Sequence, residues 1–205
     1  MPPPDITRAV RDAAVDGTYP DGGAGRFLSV AAVDTLAREL GCPAREVERA
    51  ALAAGTCPLR YARNLRAFSL EEQTRLLDST AALIGLGGLG GGLLENLVRA
   101  GVGTVRGADG DVFDETNLNR QLLSEIAALG VPKAVQAAKR AAAVNPSVTF
   151  VAHNGFLDAD RMLALLDGAD VAVDPLGGLR DRPALVAAAR TLGIPLVTGA
   201  VAGYT

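Results

Sequence analysis

From Ala81 onward, short apolar runs alternate with longer stretches whose apolar positions recur at helical spacing. The short runs predict strands over 81–85, 103–109, 147–152, 169–174 and 195–199. The longer stretches predict helices over 90–100, 132–144, 158–167 and 181–192, the last with Asp181 before it and Pro183 near its start. Strand alternating with helix in this way predicts an α/β fold, a Rossmann-like and mostly parallel sheet with helices on both faces. The fifth strand is followed almost at once by Thr205. A sheet ending there leaves an edge uncovered, which predicts either truncation of the chain or completion by another chain.

The pattern before residue 80 is different. Residues 1–25 are rich in Pro, Gly and Asp and predict a flexible tail, with at most a short helix from Ile6 to Val15. Residues 26–58 predict a small helical extension. Ser29 is a natural N-cap for a first helix carrying Val30, Val33, Leu36, Ala37 and Leu40, and Gly41 stops it. Pro43 can open a second helix at its first position, with Val47, Ala50, Ala51 and Ala54 on one face before Gly55. So tight a pair also suits a DNA-binding helix-turn-helix, but Glu46 and Glu48 on the second helix would oppose phosphate, which favours a packing or interaction module. Ser69-Leu-Glu-Glu72 forms a capping box for a further helix through Leu77. Between these elements, Arg60 and Arg63 read from spacing alone as solvated surface charge.

About half of the 205 residues are apolar, enough for a real core, and the formal net charge is −3. That balance implies no strongly basic face, so no nucleic-acid partner is expected. Two cysteines, Cys42 and Cys57, make neither a disulfide framework nor a four-thiolate zinc site, and zinc is not expected within this chain. The opening Met-Pro-Pro-Pro-Asp has no apolar core for a signal peptide, and no apolar run approaches the ~20 residues of a membrane span. A cytoplasmic location without a membrane partner is the expectation.

Candidate chemistry gathers at the C-terminal ends of the predicted strands. Gly85, Gly87 and Gly90 follow the first strand in G-x-G-x-x-G spacing, with Gly88 between them. Such a turn bends tightly, lets phosphate approach the backbone and presents it to a helix N-terminus. Asp109 stands about twenty residues on, where a ribose-binding carboxylate belongs. The following segment holds Asp111, Asn117, Arg120 and Gln121, and Lys133 opens the next helix. A lysine in a first turn opposes the helix dipole, and a bound phosphate would offset that. Asp174 ends the fourth strand at the same edge, free to hold Mg²⁺. Each residue has a bland alternative: Asp109 as a loop cap, Arg120 paired with Asp111 or Asp114, Lys133 solvated, and Asp174 shaping a turn before Pro175.

The sequence resembles the E1-like ATP-dependent activating enzymes, the family of the bacterial proteins MoeB, ThiF and HesA. The resemblance runs through Arg60-Tyr-Ala-Arg63, the Gly85–Gly90 turn, Ala100-Gly-Val-Gly103 and Asp109-Gly-Asp111. It continues through Asn117-Leu-Asn-Arg-Gln121, Gly130-Val-Pro-Lys133, Asn145-Pro146 and Asp174. It implies an adenylation domain over 59–205 that binds ATP and Mg²⁺. The implied reaction is adenylation of the C-terminal glycine carboxylate of a ubiquitin-like sulfur carrier ending in Gly-Gly, with release of pyrophosphate. Carried over residue by residue, Asp109 would hold the ribose. Asn117, Arg120 and Lys133 would hold the triphosphate, Gln121 would support their loop, and Asp174 would bind the metal. Arg63 would reach the phosphates of the opposite subunit of a homodimer.

Two departures stand out. After the aspartate the family usually has a small residue and then x-Asp-Asn, whereas this chain reads Pro175-Leu-Gly-Gly178. No cysteine follows Cys57, so the residues in hand offer no later thiol for a transfer step. The alternatives are an inactive scaffold, an NAD-dependent oxidoreductase, and a relative that activates a tRNA-borne or peptide carboxylate.

Overall fold

The computed structural model describes residues 5–178 and 181–199. The chain divides into two units, Met1–Asp78 and Ser79–Thr205.

The first unit begins with structure where a flexible tail is expected. Helix α1 (Ile6–Ala13) is capped by the Asp5 carboxylate, which accepts the Arg8 N–H at 3.1 Å. Strands β1 (Val15–Thr18) and β2 (Ala24–Leu28) then pair antiparallel. The glycines that suggest mobility instead make room for two rings. A Cβ on Gly17 would sit 2.8 Å from Phe27, and one on Gly25 would sit 2.3 Å from Tyr19. The two rings meet edge to face with centroids 4.8 Å apart. Arg26 fastens the hairpin to α1 by donating to the Arg11 and Ala14 carbonyls at 2.9 and 2.7 Å. Of the expected tail, residues 1–4 lie outside the described residues.

The helical pair follows as α2 (Val30–Leu40) and α3 (Ala44–Ala53), with Ser29 and Gly41 capping α2 as expected. Pro43 is the N-cap of α3 rather than its first residue. Val33, Leu36, Val47 and Ala51 join Val10 and Leu28 in the core of this unit, so the faces read as apolar pack, except at Val30, which is exposed. Strand β3 (Thr56–Pro58) adds parallel to β2, and α4 (Leu70–Asp78) starts at the Ser69–Glu72 capping box.

Arg60 is not a solvated charge. Its guanidinium lies 3.2 Å from the fully buried Glu48 carboxylate, which also accepts the Tyr61 hydroxyl at 3.0 Å. A buried carboxylate requires such partners, and they join α3 to the turn after β3. Arg63 remains exposed.

The second unit is a parallel five-stranded sheet in the order β6-β5-β4-β7-β8. The strands are β4 (Thr80–Ile84), β5 (Thr104–Asp109), β6 (Thr149–Asn154), β7 (Val171–Asp174) and β8 (Leu196–Thr198). The helices are α5 (Gly88–Ala100), α6 (Lys133–Val144), α7 (Ala159–Leu166) and α8 (Arg182–Leu192). Met162, Leu166 and Leu185 of α7 and α8 bury Ala82, Ile84, Ala108 and Ala172 of the sheet. The small strand residues let the helices approach closely. Helices α5 and α6 pack with each other and with β4, β5 and β6. The chain moves outward from β4 through β5 and β6, then crosses back to β7 on the other side of β4. That reversal opens a crevice at the C-terminal end of β4, the place where open α/β sheets bind ligands.

Candidate active site

The crevice is a cavity of about 1320 Å³. Its floor is the glycine turn. Gly85 takes φ +112°, open to glycine and disfavoured for other residues. A Cβ on Gly90 would lie 2.0 Å from the Gly85 carbonyl oxygen, so only glycine lets the first turn of α5 close on the end of β4. Gly87 and Gly88 line the cavity, and among the described residues no side chain caps α5. The first amides of that helix are therefore available to an anion.

Asp109 leaves β5 and binds both sides of the crevice. Its Oδ2 accepts the Leu86 N–H of the glycine turn at 2.8 Å, and its Oδ1 accepts the Asp111 N–H at 2.9 Å. A carboxylate has about four acceptor positions, so lone pairs remain for a ligand.

The residues from 110 to 132 form a closed loop. Phe113 is buried and exchanges backbone hydrogen bonds with Val131 and Gly130 at 3.0 and 2.8 Å. Lys133 then starts α6, largely buried. Its Nζ reaches the Asp111 carboxylate at 3.1 Å and lies 5.9 Å from the Phe113 ring centre. Arg120 is exposed on the cavity wall and donates to the Thr116 carbonyl and the Asn119 side chain at 2.7 and 2.9 Å. Among the described residues it has no carboxylate partner at salt-bridge distance; the alternative pairing with Asp111 or Asp114 does not occur. Gln121 is buried beside Gly87, and its Oε1 has no hydrogen-bond partner among the described residues.

Eight of the expected residues thus line one cavity: Gly85, Gly87, Gly88, Asp109, Asp111, Arg120, Gln121 and Lys133. Gly90 lies beneath it. Asn117 is buried inside the loop, closing the turn after Asp114: its side chain accepts the Asp114 N–H at 3.3 Å and donates to the Asp114 carboxylate at 3.3 Å. The same turn, with the Thr116 hydroxyl as the largest influence, holds Asp114 below its ordinary pKa. Arg63 belongs to the first unit.

Asp174 is 1% exposed, and its two oxygens are engaged. Oδ1 accepts the Leu176 N–H at 3.0 Å, and Oδ2 lies 3.1 Å from Nε of Arg182. It does not line the cavity, whereas Arg182 does. Among the described residues no group of three or more His, Cys, Asp and Glu side chains is placed to hold a metal. The expected magnesium ligand is therefore occupied by a guanidinium.

Two cavity residues escape the sequence reading. Phe156, after β6, is 71% exposed, and its ring lies so close to Gly110 that a Cβ there would come within 2.6 Å. Arg182 carries the same signal as Lys133, a cation in the first turn of a helix, yet none of the sequence motifs described above includes it.

Several proteins are similar to this chain over the second unit and the end of the first. The chain is 38% identical over 144 residues to the molybdopterin-synthase adenylyltransferase of Salmonella typhimurium, covering 69% of this chain and 58% of that protein. It is 39% identical over 131 residues to the sulfur carrier protein adenylyltransferase of Thermus thermophilus, covering 64% of this chain and 48% of that one. It thus spans only 48–58% of the length of these two relatives. The structure of the E. coli tRNA N6-threonylcarbamoyladenosine dehydratase TcdA in complex with ATP superposes with a TM-score of 0.65 at 28% identity, over 68% of this chain and 58% of that one. The ThiF family pattern matches residues 61–205, and the chain belongs to the ThiF family.

Proposed function

We propose that this chain binds ATP in the cavity at the end of β4 and adenylates the C-terminal glycine carboxylate of a small ubiquitin-like sulfur carrier. The observation that carries this reading is the convergence of Asp109, Arg120 and Lys133 on the glycine turn around one cavity. The Salmonella and Thermus relatives support an adenylyltransferase.

In this reading Asp109 accepts the ribose hydroxyls with its free lone pairs. Phe156 and Met162 offer the adenine an apolar wall. Arg120, Lys133 and the first amides of α5 hold the phosphates, with Gln121 supporting their loop and Asn117 acting through the turn it closes. A carrier carboxylate oxygen attacks the α-phosphorus, the bond to the bridging oxygen of the β-phosphate breaks, and pyrophosphate leaves with that electron pair. Positioning and charge neutralisation supply the catalysis. The cavity exceeds the roughly 300–1,000 Å³ of ordinary small-molecule sites, leaving room for a peptide terminus beside the nucleotide. Asp174, engaged by Arg182 and the Leu176 amide, does not fit as a magnesium ligand.

A homodimer with Arg63 acting across it completes the proposal. Val112, Leu122, Ile126 and Val135 are exposed on and beside the 110–132 loop, with Ile126 80% exposed, as suits a covered surface. Light scattering tests the dimer. No helix among the described residues is long and apolar enough to cross a membrane. We place the ATP-consuming reaction in the cytoplasm.

ATP–pyrophosphate exchange with candidate Gly-Gly carriers tests the reading. Exchange only with a matching carrier is expected, and its absence with every carrier overturns it. Stabilisation by NAD but not ATP in a thermal shift would favour the oxidoreductase alternative. The likeness to TcdA motivates a second substrate reading, a carboxylate borne on tRNA, which exchange stimulated by modified tRNA alone would support.

A further inference from the structure

The Asp174–Arg182 pair stands at the end of β7, where the sequence leads one to expect a metal. Arg182 is held from three directions. Its Nε lies 3.1 Å from Asp174 Oδ2, an ion-pair contact not aligned as a hydrogen bond, and its Nη2 donates to the Leu176 carbonyl at 2.7 Å and reaches the Gly199 carbonyl at 3.4 Å. These contacts tie the end of β7, the loop after it and the end of β8 to one guanidinium. Among the described residues Nη1 makes no hydrogen bond, and the side chain lines the cavity.

We infer that Arg182, rather than a divalent cation, is the counter-charge of Asp174, and that the guanidinium so held is a third fixed cation on the phosphate side of the cavity. Asp174 is then a positioning residue. The substitution of Pro175-Leu-Gly-Gly178 for an acidic loop fits this arrangement, because a second carboxylate there would compete for Arg182. Arg182 lies in the first turn of α8, where the helix dipole opposes a cation, and the Asp174 carboxylate offsets that opposition. Any divalent metal enters as the counter-ion of the nucleotide. The phosphate-binding half of the inference rests on the adenylation reading; the exclusion of metal from Asp174 does not.

The test therefore has an arm without nucleotide. Mn²⁺ is titrated into the nucleotide-free full chain and followed by electron paramagnetic resonance. No submillimolar binding is expected; tight Mn²⁺ binding by the wild type overturns the proposal. In a second arm ATP affinity is measured by calorimetry at saturating Mg²⁺. Arg182→Gln removes the guanidinium cation from the cavity wall and should weaken ATP about tenfold or more, with Arg182→Lys recovering most of the loss. Asp174→Asn should leave the Mg²⁺ concentration giving half-maximal ATP binding within about twofold of wild type, well under the tenfold change of a lost ligand. A rise of that larger size, or unchanged ATP affinity in folded Arg182→Gln, overturns the proposal. Failure of the adenylation reading appears separately, as absent pyrophosphate exchange in a protein that still binds ATP.

Discussion

Lys133 and Asp111 are joined twice: the lysine N–H donates to the Asp111 carbonyl at 2.9 Å, and its ammonium reaches the Asp111 carboxylate at 3.1 Å. The lysine side chain is 8% exposed and the aspartate side chain 57% exposed, so the carboxylate remains largely in water while the ammonium is fixed. Lys133→Ala removes a fixed cation, and the remaining carboxylate can still be solvated. We expect pyrophosphate exchange to fall by about 10²–10³-fold, the cost of losing one preorganised donor. The melting temperature should drop only a few degrees, as calorimetry would show.

Arg120 separates function from stability more cleanly. It is exposed and, among the described residues, bonds only within its own loop. Arg120→Ala should lose pyrophosphate exchange by about 10²-fold or more while the melting temperature stays within roughly 1 °C of wild type. Full activity in this variant would remove the arginine from the phosphate site.

Asp109 is different, since its carboxylate bonds both the glycine turn and its own loop. Asp109→Ala leaves the Leu86 and Asp111 amides without that acceptor, at about 1–3 kcal/mol for each amide that stays dry. At about 2–4 °C per kcal/mol in a chain of this size, the loss is readily seen by thermal melting. Asp109→Asn keeps one acceptor oxygen and should recover part of the stability. ATP affinity should fall in both variants, because neither offers a charged acceptor to the ribose.

The second unit is legible in the sequence because its elements repeat one local rule. Each strand is a short apolar run and each helix an amphipathic one, so Thr80–Ile84 and Lys133–Val144 begin and end within a residue or two of expectation. The glycine turn is legible for a similar reason: Gly85 and Gly90 answer steric demands set within six residues. What escapes is set by partners far along the chain. Gly17 and Gly25 look like disorder until Phe27 and Tyr19 occupy the space above them. Arg60 looks solvated until Glu48, twelve residues earlier, is buried beneath it. The Asp174–Arg182 pair depends on how β7 and α8 meet, which no spacing reports. Asn117 shows the converse, since its motif is visible but its side chain closes a turn inside the loop.

The buried charge that ties α5 to α6 gives a pH test of the fold. Glu95 accepts from Arg140 at 2.8 and 2.7 Å and from Arg99 at 2.9 Å. The hydrogen bonds from Arg140, opposed by burial and reinforced by Arg99, hold its carboxyl below the ordinary 4.5. A lowered pKa means that the folded state binds the proton less tightly than the unfolded one. The stabilisation is therefore complete well above 4.5 and is lost as pH falls through the lowered value. Glu95→Gln should cost about 1–3 kcal/mol at pH 7. Its melting temperature should converge on that of the wild type as the pH drops below 4.5; a gap independent of pH would mean that packing, not charge, holds the helices together.

Phe156 offers a test of where the nucleobase lies. An aromatic ring 71% exposed on a cavity wall contributes little to the core, so its removal should leave the melting temperature nearly unchanged. The ring lies against Gly110, the residue between Asp109 and Asp111 in the chain, and lines the same cavity as Arg120 and Lys133. Stacking on such a ring is worth about 1–3 kcal/mol, so Phe156→Ala should weaken ATP roughly 5- to 150-fold. Phe156→Tyr should keep the affinity, because the stacking face is retained. Inorganic pyrophosphate, which has no base, should bind both variants like the wild type. A Phe156→Ala protein that loses pyrophosphate and ATP equally would put the ring's influence on the phosphate loop instead of the adenine.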